Sequence, residues 1–160
     1  MKSMTTVAHI VSASYITLKV ANVAPNELDY IATSLISAGI LDLDHLFFLI
    51  RDRKIFKKVG FSGHLHKARS PIHELLGFLI IGVVMLAVSF FNPKLALVLG
   101  LPAMIHLIED LLVGISLPFS PVDKTEIQLI PQKKTIKIFL DVTVIIIFAI
   151  LWIKYLNVVN

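Results

Sequence analysis

Cysteine is absent from all 160 residues. That excludes a disulfide framework and a thiolate metal site, so any metal must be held by nitrogen and oxygen. Charge is scarce too: Asp, Glu, Lys and Arg together make up 16%. No internal repeat and no low-complexity tract interrupts the chain. A cleavable signal peptide is not expected, because the first apolar stretch carries His9 and has no small-residue cleavage site before a polar start. The remainder is apolar, 56% hydrophobic with a mean hydropathy of +0.84, well beyond an ordinary soluble globule. A soluble protein with a greasy core is the plain alternative, but the apolar runs are too long for short core helices. The expectation is therefore all-α: a single domain over residues 1–160, built as a polytopic membrane bundle of about five helices.

Five segments carry that expectation. The first runs from about Thr5 to Val20; it is the shortest, and spans, dips into the bilayer or lies in its interface. The second runs from about Tyr30 to Ile50, after Asn26-Glu27-Leu28-Asp29, which offers capping side chains. The third runs from about Pro71, a residue suited to a first helical position, to Phe91. The fourth runs from Pro93 or Lys94 to Leu117, ended by Pro118-Phe119-Ser120-Pro121. The fifth runs from about Thr135 to Val158. Several approach the ~20 residues of a membrane span. Five alternating crossings put Lys2, the loop from Arg51 to Arg69 and the loop from Pro118 to Lys137 on one face, with twelve of the fifteen basic residues. That face is predicted to be cytoplasmic in a cell (inner) membrane. Topology alone accounts for this clustering; attraction of anionic lipid or another phosphate-bearing molecule is a secondary role.

Against this background the polar residues stand out. A charge near the bilayer centre costs roughly 3 kcal/mol on insertion scales, yet Asp42-Leu43-Asp44-His45 and His106-Leu107-Ile108-Glu109-Asp110 lie within apolar segments. His9 and His73-Glu74 begin two others. Threaded through the alternating topology, all fall in one layer near the cytoplasmic interface. His106 and Asp110 are four apart and share a helix face; Asp42 and His45, three apart, also share one. Asp44 points elsewhere on a regular helix, toward a second metal or behind the first ligands; the alternative is a helix distorted at that point. Each has a bland reading. His9 serves equally as a packing histidine, Asp42 and Asp44 as a helix-end feature, and His106 with Asp110 as an interhelical hydrogen bond. Glu74 favours the positive end of a helix dipole. His64 and His66 read as loop residues, Glu109 as facing away from the partners of Asp110, and Asp141 as an interfacial residue needing no metal. The Met and Phe stripes read as lipid-facing or core packing.

The order of these residues resembles a known family. His9, then Gly39-Ile40-Leu41-Asp42-Leu43-Asp44-His45, then Arg69-Ser70-Pro71-Ile72-His73-Glu74-Leu75-Leu76, then His106-Leu107-Ile108-Glu109-Asp110-Leu111-Leu112 is similar to the YdjM-like, LexA-binding, inner-membrane-associated family, whose assignment as metal-dependent hydrolases is itself an inference. That family shows an early Gly-His, a Pro-Asp-x-Asp-His, a His-Arg-Gly-x-Thr-His-Ser and a His-x-x-x-Asp followed by Gly and Pro. It is more distantly similar to zinc-dependent phospholipase C and P1-type nucleases. The likeness covers roughly residues 9 to 121. It implies a metal set of His9, Asp42 or Asp44, His73, His106 and Asp110. Leu41 stands where the family has Pro, Ala68 where it has the first His of its third motif, and Ile72 and Glu74 flank His73 in place of Thr and Ser. His66 or His64 is the nearest substitute for the missing His, and Glu74 is itself a carboxylate ligand type.

The resulting expectation is a membrane-bound metal-dependent hydrolase acting on a phosphoester, lipid-linked or small, at the cytoplasmic face. The metal candidates are His9, Asp42, Asp44, His45, His73, His106 and Asp110; Asp44, Arg69 and Glu74 are candidates for the chemistry, with Arg69 binding phosphate as a fork. One to three divalent ions are expected, zinc first and manganese as an alternative. Membrane lipid is the expected partner and no specific nucleic acid. A small transporter or ion-conducting protein is the rival, and it predicts polar residues through the whole membrane depth. A structural membrane protein with a vestigial site is a third reading.

Overall fold

The computed structural model describes residues 5–43, 74–119, 122–123, 125–130 and 134–157. Among these, five helices carry the architecture: α1 Thr6–Val20, α2 Leu28–Ile40, α3 Leu75–Ser89, α4 Pro93–Val113 and α5 Lys134–Asn157. A two-residue antiparallel ribbon, β1 Ile115–Ser116 with β2 Ile127–Gln128, bridges α4 to the run before α5, pairing Ile115 with Gln128 and Ser116 with Ile127.

Local chemistry explains most of the boundaries. Asn92 caps α4 by accepting from the Leu95 N–H at 2.9 Å, and Pro93 fills the first turn, where its missing N–H costs nothing. The end of α1 is a Schellman turn: Asn22 adopts φ 49°, the Val23 N–H reaches back to the Leu18 carbonyl at 2.9 Å and the Asn22 N–H to that of Lys19 at 3.3 Å. Val23 and Leu18 are both in the buried core beside it. The Glu27 carboxylate then accepts from the Ala24 N–H at 2.7 Å and from Lys94 Nζ at 2.6 and 2.8 Å, pinning the α1–α2 turn to the start of α4. The Lys94 ammonium and the Ala24 N–H hold the Glu27 carboxyl below the usual carboxylate range.

Three ends differ from expectation. The second segment was expected to continue to Ile50, but α2 stops at Ile40, where Gly39 approaches Ile10 closely and the Asp42 N–H closes a tight turn on the Gly39 carbonyl at 3.2 Å. The third segment was expected from Pro71, but α3 starts at Leu75, with Glu74 in an extended cap position. The fourth was expected to reach Leu117, but α4 ends at Val113: Gly114 turns extended (ψ −171°) and hands the chain to the ribbon.

α1 is no peripheral segment. It packs against α2, α4 and α5, while α3 leans on α4. Tyr15, Trp152 and Tyr155 form edge contacts, Trp152 Nε1 donates to the Val11 carbonyl at 3.0 Å and the Tyr155 hydroxyl to that of Val23 at 2.8 Å, joining α5 to α1. The α3–α4 contact is close because Gly100 leaves room for Met85 and Gly82 meets Met104. Pro102 withdraws one N–H from inside α4; in that turn the Leu99 carbonyl accepts from Ser37 Oγ of α2.

The contacts also fix direction. The start of α1, the end of α2, the later half of α4 and the start of α5 meet at one end, where the Thr5 N–H donates to Asp141 at 3.3 Å. Glu27, Tyr30, Asn92, Lys94 and Tyr155 gather at the other. Large apolar residues face outward along α3 (Leu79, Val83, Leu86) and α5 (Phe139, Ile146, Ile150, Ile153). Only α4 and α5, at 21 and 24 residues, are long and apolar enough to cross a membrane among the described residues; α1, α2 and α3 have 15, 13 and 15.

Candidate metal centre

Two histidines sit face to face in the core. His9 comes from the second turn of α1 and His106 from the later half of α4; both are fully buried. Their rings stack at 4.0 Å between centroids with 17° between planes. Asp110 lies one turn beyond His106 and is 1% exposed. Its Oδ1 is 3.2 Å from His9 Nε2, and its Oδ2 is 4.0 Å from His106 Nε2. Asp42, in the turn that ends α2, brings Oδ1 to 3.5 Å from His106 Nε2. One donor atom from each of His9, His106 and Asp110 lies within 4.8 Å of the other two.

The outer nitrogen of each ring is fixed by a group that can only accept. His106 Nδ1 is 2.7 Å from the Ala38 carbonyl oxygen, and His9 Nδ1 is 2.7 Å from Glu109 Oε2. Each Nδ1 therefore donates, and in a neutral ring each Nε2 carries a lone pair. Both lone pairs then face carboxylate oxygens, an arrangement that a cation or a shared proton in between relieves. Two protons would make two stacked imidazolium ions, whose repulsion at 4 Å is about 4 kcal/mol even at an effective dielectric of 20. A single divalent cation would answer both rings and the carboxylates together. The donor set fits such an ion: imidazole and carboxylate oxygen are zinc and manganese ligand types, and a ligating His ordinarily gives its other N–H to a carboxylate or a backbone carbonyl.

Glu109 corrects an expectation. It was expected to face away from the partners of Asp110, yet it accepts from His9 Nδ1 and from Ser12 Oγ at 2.6 Å. Adjacent residues on a helix diverge by about 100°, and His9 lies in that angle, with one ring nitrogen toward each carboxylate. Ser12, which sequence reasoning passed over, is three residues from His9, as Glu109 is from His106. Those two spacings were the available signal.

The other candidates divide clearly. Asp42 was expected in the last third of a continuous helix and instead stands just past the end of α2, because the chain turns at Gly39. Glu74 is buried but engaged elsewhere: its carboxylate accepts from Ser116 Oγ and from the Leu117 N–H at 2.9 Å, clamping the start of α3 to the strand after α4. It does not join the three-residue group of His9, His106 and Asp110. Asp44, His45, Arg69 and His73, with His64 and His66, lie outside the described residues. Asp141 accepts from the Thr5 N–H and is 6% exposed.

In comparison with known proteins, the model of the YdjM inner membrane protein family matches residues 4–159. No curated protein and no solved structure matches the chain.

Proposed function

Since the chain belongs to the YdjM inner membrane protein family, we propose that the buried cluster is the metal centre of a membrane-embedded hydrolase acting on a phosphoester. The observation that carries this reading is the convergence of His9 Nε2, His106 Nε2 and Asp110 in one buried group, each ring held from behind by an acceptor. A divalent ion there would supply Lewis acidity toward a phosphoryl oxygen and a water acidic enough to deprotonate near neutral pH. His9, His106 and Asp110 hold the ion and Asp42 completes the donors. Glu109, itself fixed by Ser12, orients His9. The Ala38 carbonyl fixes the tautomer of His106. His73 is the further ligand that the family resemblance supplies, and Arg69 the fork for substrate phosphate. The distant likeness of the resembled family to zinc phospholipase C and P1-type nucleases enters only as shared chemistry, nitrogen and carboxylate donors on helices. The basic loops lie on the cytoplasmic side in this reading, and the cluster is at the cytoplasmic end of the bundle.

Metal analysis of detergent-purified protein, paired with phosphodiesterase assays, tests the proposal. The wild type is expected to hold at least one divalent ion per chain and to hydrolyse a phosphodiester. The double variant His106→Ala, Asp110→Ala is expected to lose both. Equal metal content in the two proteins would overturn the assignment.

A further inference from the structure

Round α4 from the cluster, the described residues form a cleft of about 210 Å³. Leu107 and Leu111 of α4 make its floor, Leu75 and Phe78 of α3 its wall, and Glu74 with Ser116 its one polar end. It runs from Leu75, 47% exposed at the rim, to Leu107, 2% exposed.

Three observations fix its occupant. First, its polar lining is already used: Glu74 takes the Ser116 hydroxyl and the Leu117 N–H. What remains is aliphatic and aromatic wall, which suits hydrocarbon. Apolar cavities of about 150 Å³ stay dry and take up molecules such as benzene, and this cleft is larger, yet below the ~300 Å³ at which whole-ligand pockets begin. It fits a length of chain. Second, α3 turns Leu79, Val83 and Leu86 outward. In an inner membrane protein that face meets lipid, so lipid chains are the hydrocarbon available at the rim. Third, the height matches. Leu107 and Leu111 directly follow His106 and Asp110, with consecutive Cα atoms about 3.8 Å apart. The floor of the cleft and the metal-binding face are neighbouring sides of the same helical turns.

We infer that this cleft seats one hydrocarbon chain of a membrane lipid and so brings that lipid's phosphate headgroup to the same end of the bundle as the His9–His106–Asp110 cluster. The substrate class that follows is a phospholipid-like amphiphile rather than a soluble phosphoester. This rests on the reading of the cluster as a hydrolytic metal centre, whereas chain occupancy of the cleft does not.

The test is photo-crosslinking of full-length protein in nanodiscs containing phosphatidylglycerol with a diazirine midway along one acyl chain. Adducts on the outward residues of α3 are expected from bulk lipid in any case. The informative adduct is at Leu107, which only a chain inside the cleft reaches. Filling the cleft with Leu111→Trp, or with Leu75→Trp at the rim should the first variant misfold by circular dichroism, is expected to reduce the Leu107 adduct at least tenfold with metal content unchanged. Adducts confined to Leu79 and Val83, alike in wild type and filled variants, would overturn the inference. Metal content reports on the cluster separately. Bound metal without a Leu107 adduct removes the cleft and leaves the cluster reading standing; a Leu107 adduct without metal removes the substrate role and leaves a plain lipid site.

Discussion

Asp110 presents one oxygen to each of two stacked imidazoles, and Glu109 holds one of those rings from behind. The two carboxylates are neighbours in sequence with different expected consequences on removal. Asp110→Asn would take away a ligand charge common to both rings, and metal is expected to be lost outright. Glu109→Gln keeps size and a hydrogen-bonding oxygen for His9 but gives up the charge that makes the ring a better donor. Loss of such a supporting partner typically weakens metal binding by 10–100-fold. Competition with a metal-binding dye should therefore rank wild type, Glu109→Gln and Asp110→Asn in that order, with helix content equal in all three. Equal affinity in wild type and Glu109→Gln would show that the 2.7 Å contact has no part in metal binding. This pair also marks what was legible in the sequence. His106 with Asp110 follows from a four-residue spacing. The role of Glu109 does not, because a helical wheel gives directions on one helix and not where the neighbouring helix inserts its side chain.

At the scale of the elements, close approach and polar pinning do separate work. Gly100 of α4 lies under Met85 of α3, where an added Cβ would overlap the methionine side chain. Gly100→Val is expected to destabilise the protein by about 1–3 kcal/mol, the usual cost of overpacking, and Met85→Ala in the same chain should restore part of it. Thermal unfolding in detergent of the two single variants and the double one measures the coupling; strictly additive effects would mean that the contact is not the cause. The Glu27–Lys94 pair at the far end predicts a pH dependence. Its carboxyl is held below the ordinary range in the folded protein, so the folded state binds this proton less readily than the unfolded chain does. The stabilisation is present above the ordinary carboxylate range and disappears as pH falls through and below it. Acidification should lower the melting temperature less in Glu27→Gln than in wild type. Element ends were legible where one residue decides them, as with Asn92 and Pro93. They were not legible where tertiary packing decides them. α2 stops beside the Gly39–Ile10 contact, and α4 yields to a two-residue ribbon, neither of which leaves a hydrophobic period to read.

For the whole molecule, the long apolar helices α4 and α5 differ in how far the rest of the protein covers them. The span in α4 is 44% buried within the protein, whereas that in α5 is 6% buried. α4 is therefore the pillar round which α1, α2 and α3 pack, and α5 meets the bundle through α1 and turns its other sides outward. The helices alternate in direction, so the His9–His106–Asp110 cluster and the ribbon lie at one end and the Glu27–Lys94 pair at the other. If the basic loops mark the cytoplasm, the ribbon end is cytoplasmic and the Glu27 end periplasmic. The lack of cysteine makes this directly measurable, since any thiol introduced is the sole thiol of the chain. Single cysteines at Asn26 and Phe91 are expected to react with a membrane-impermeant maleimide in intact cells. A single cysteine at Glu126 is expected to react only after the cells are opened. The reverse pattern would put the cluster on the periplasmic side, and labelling of Asn26 and Phe91 from opposite sides would show that the two turns do not share a face of the membrane, which would exclude α2 and α3 as a matched pair of crossings.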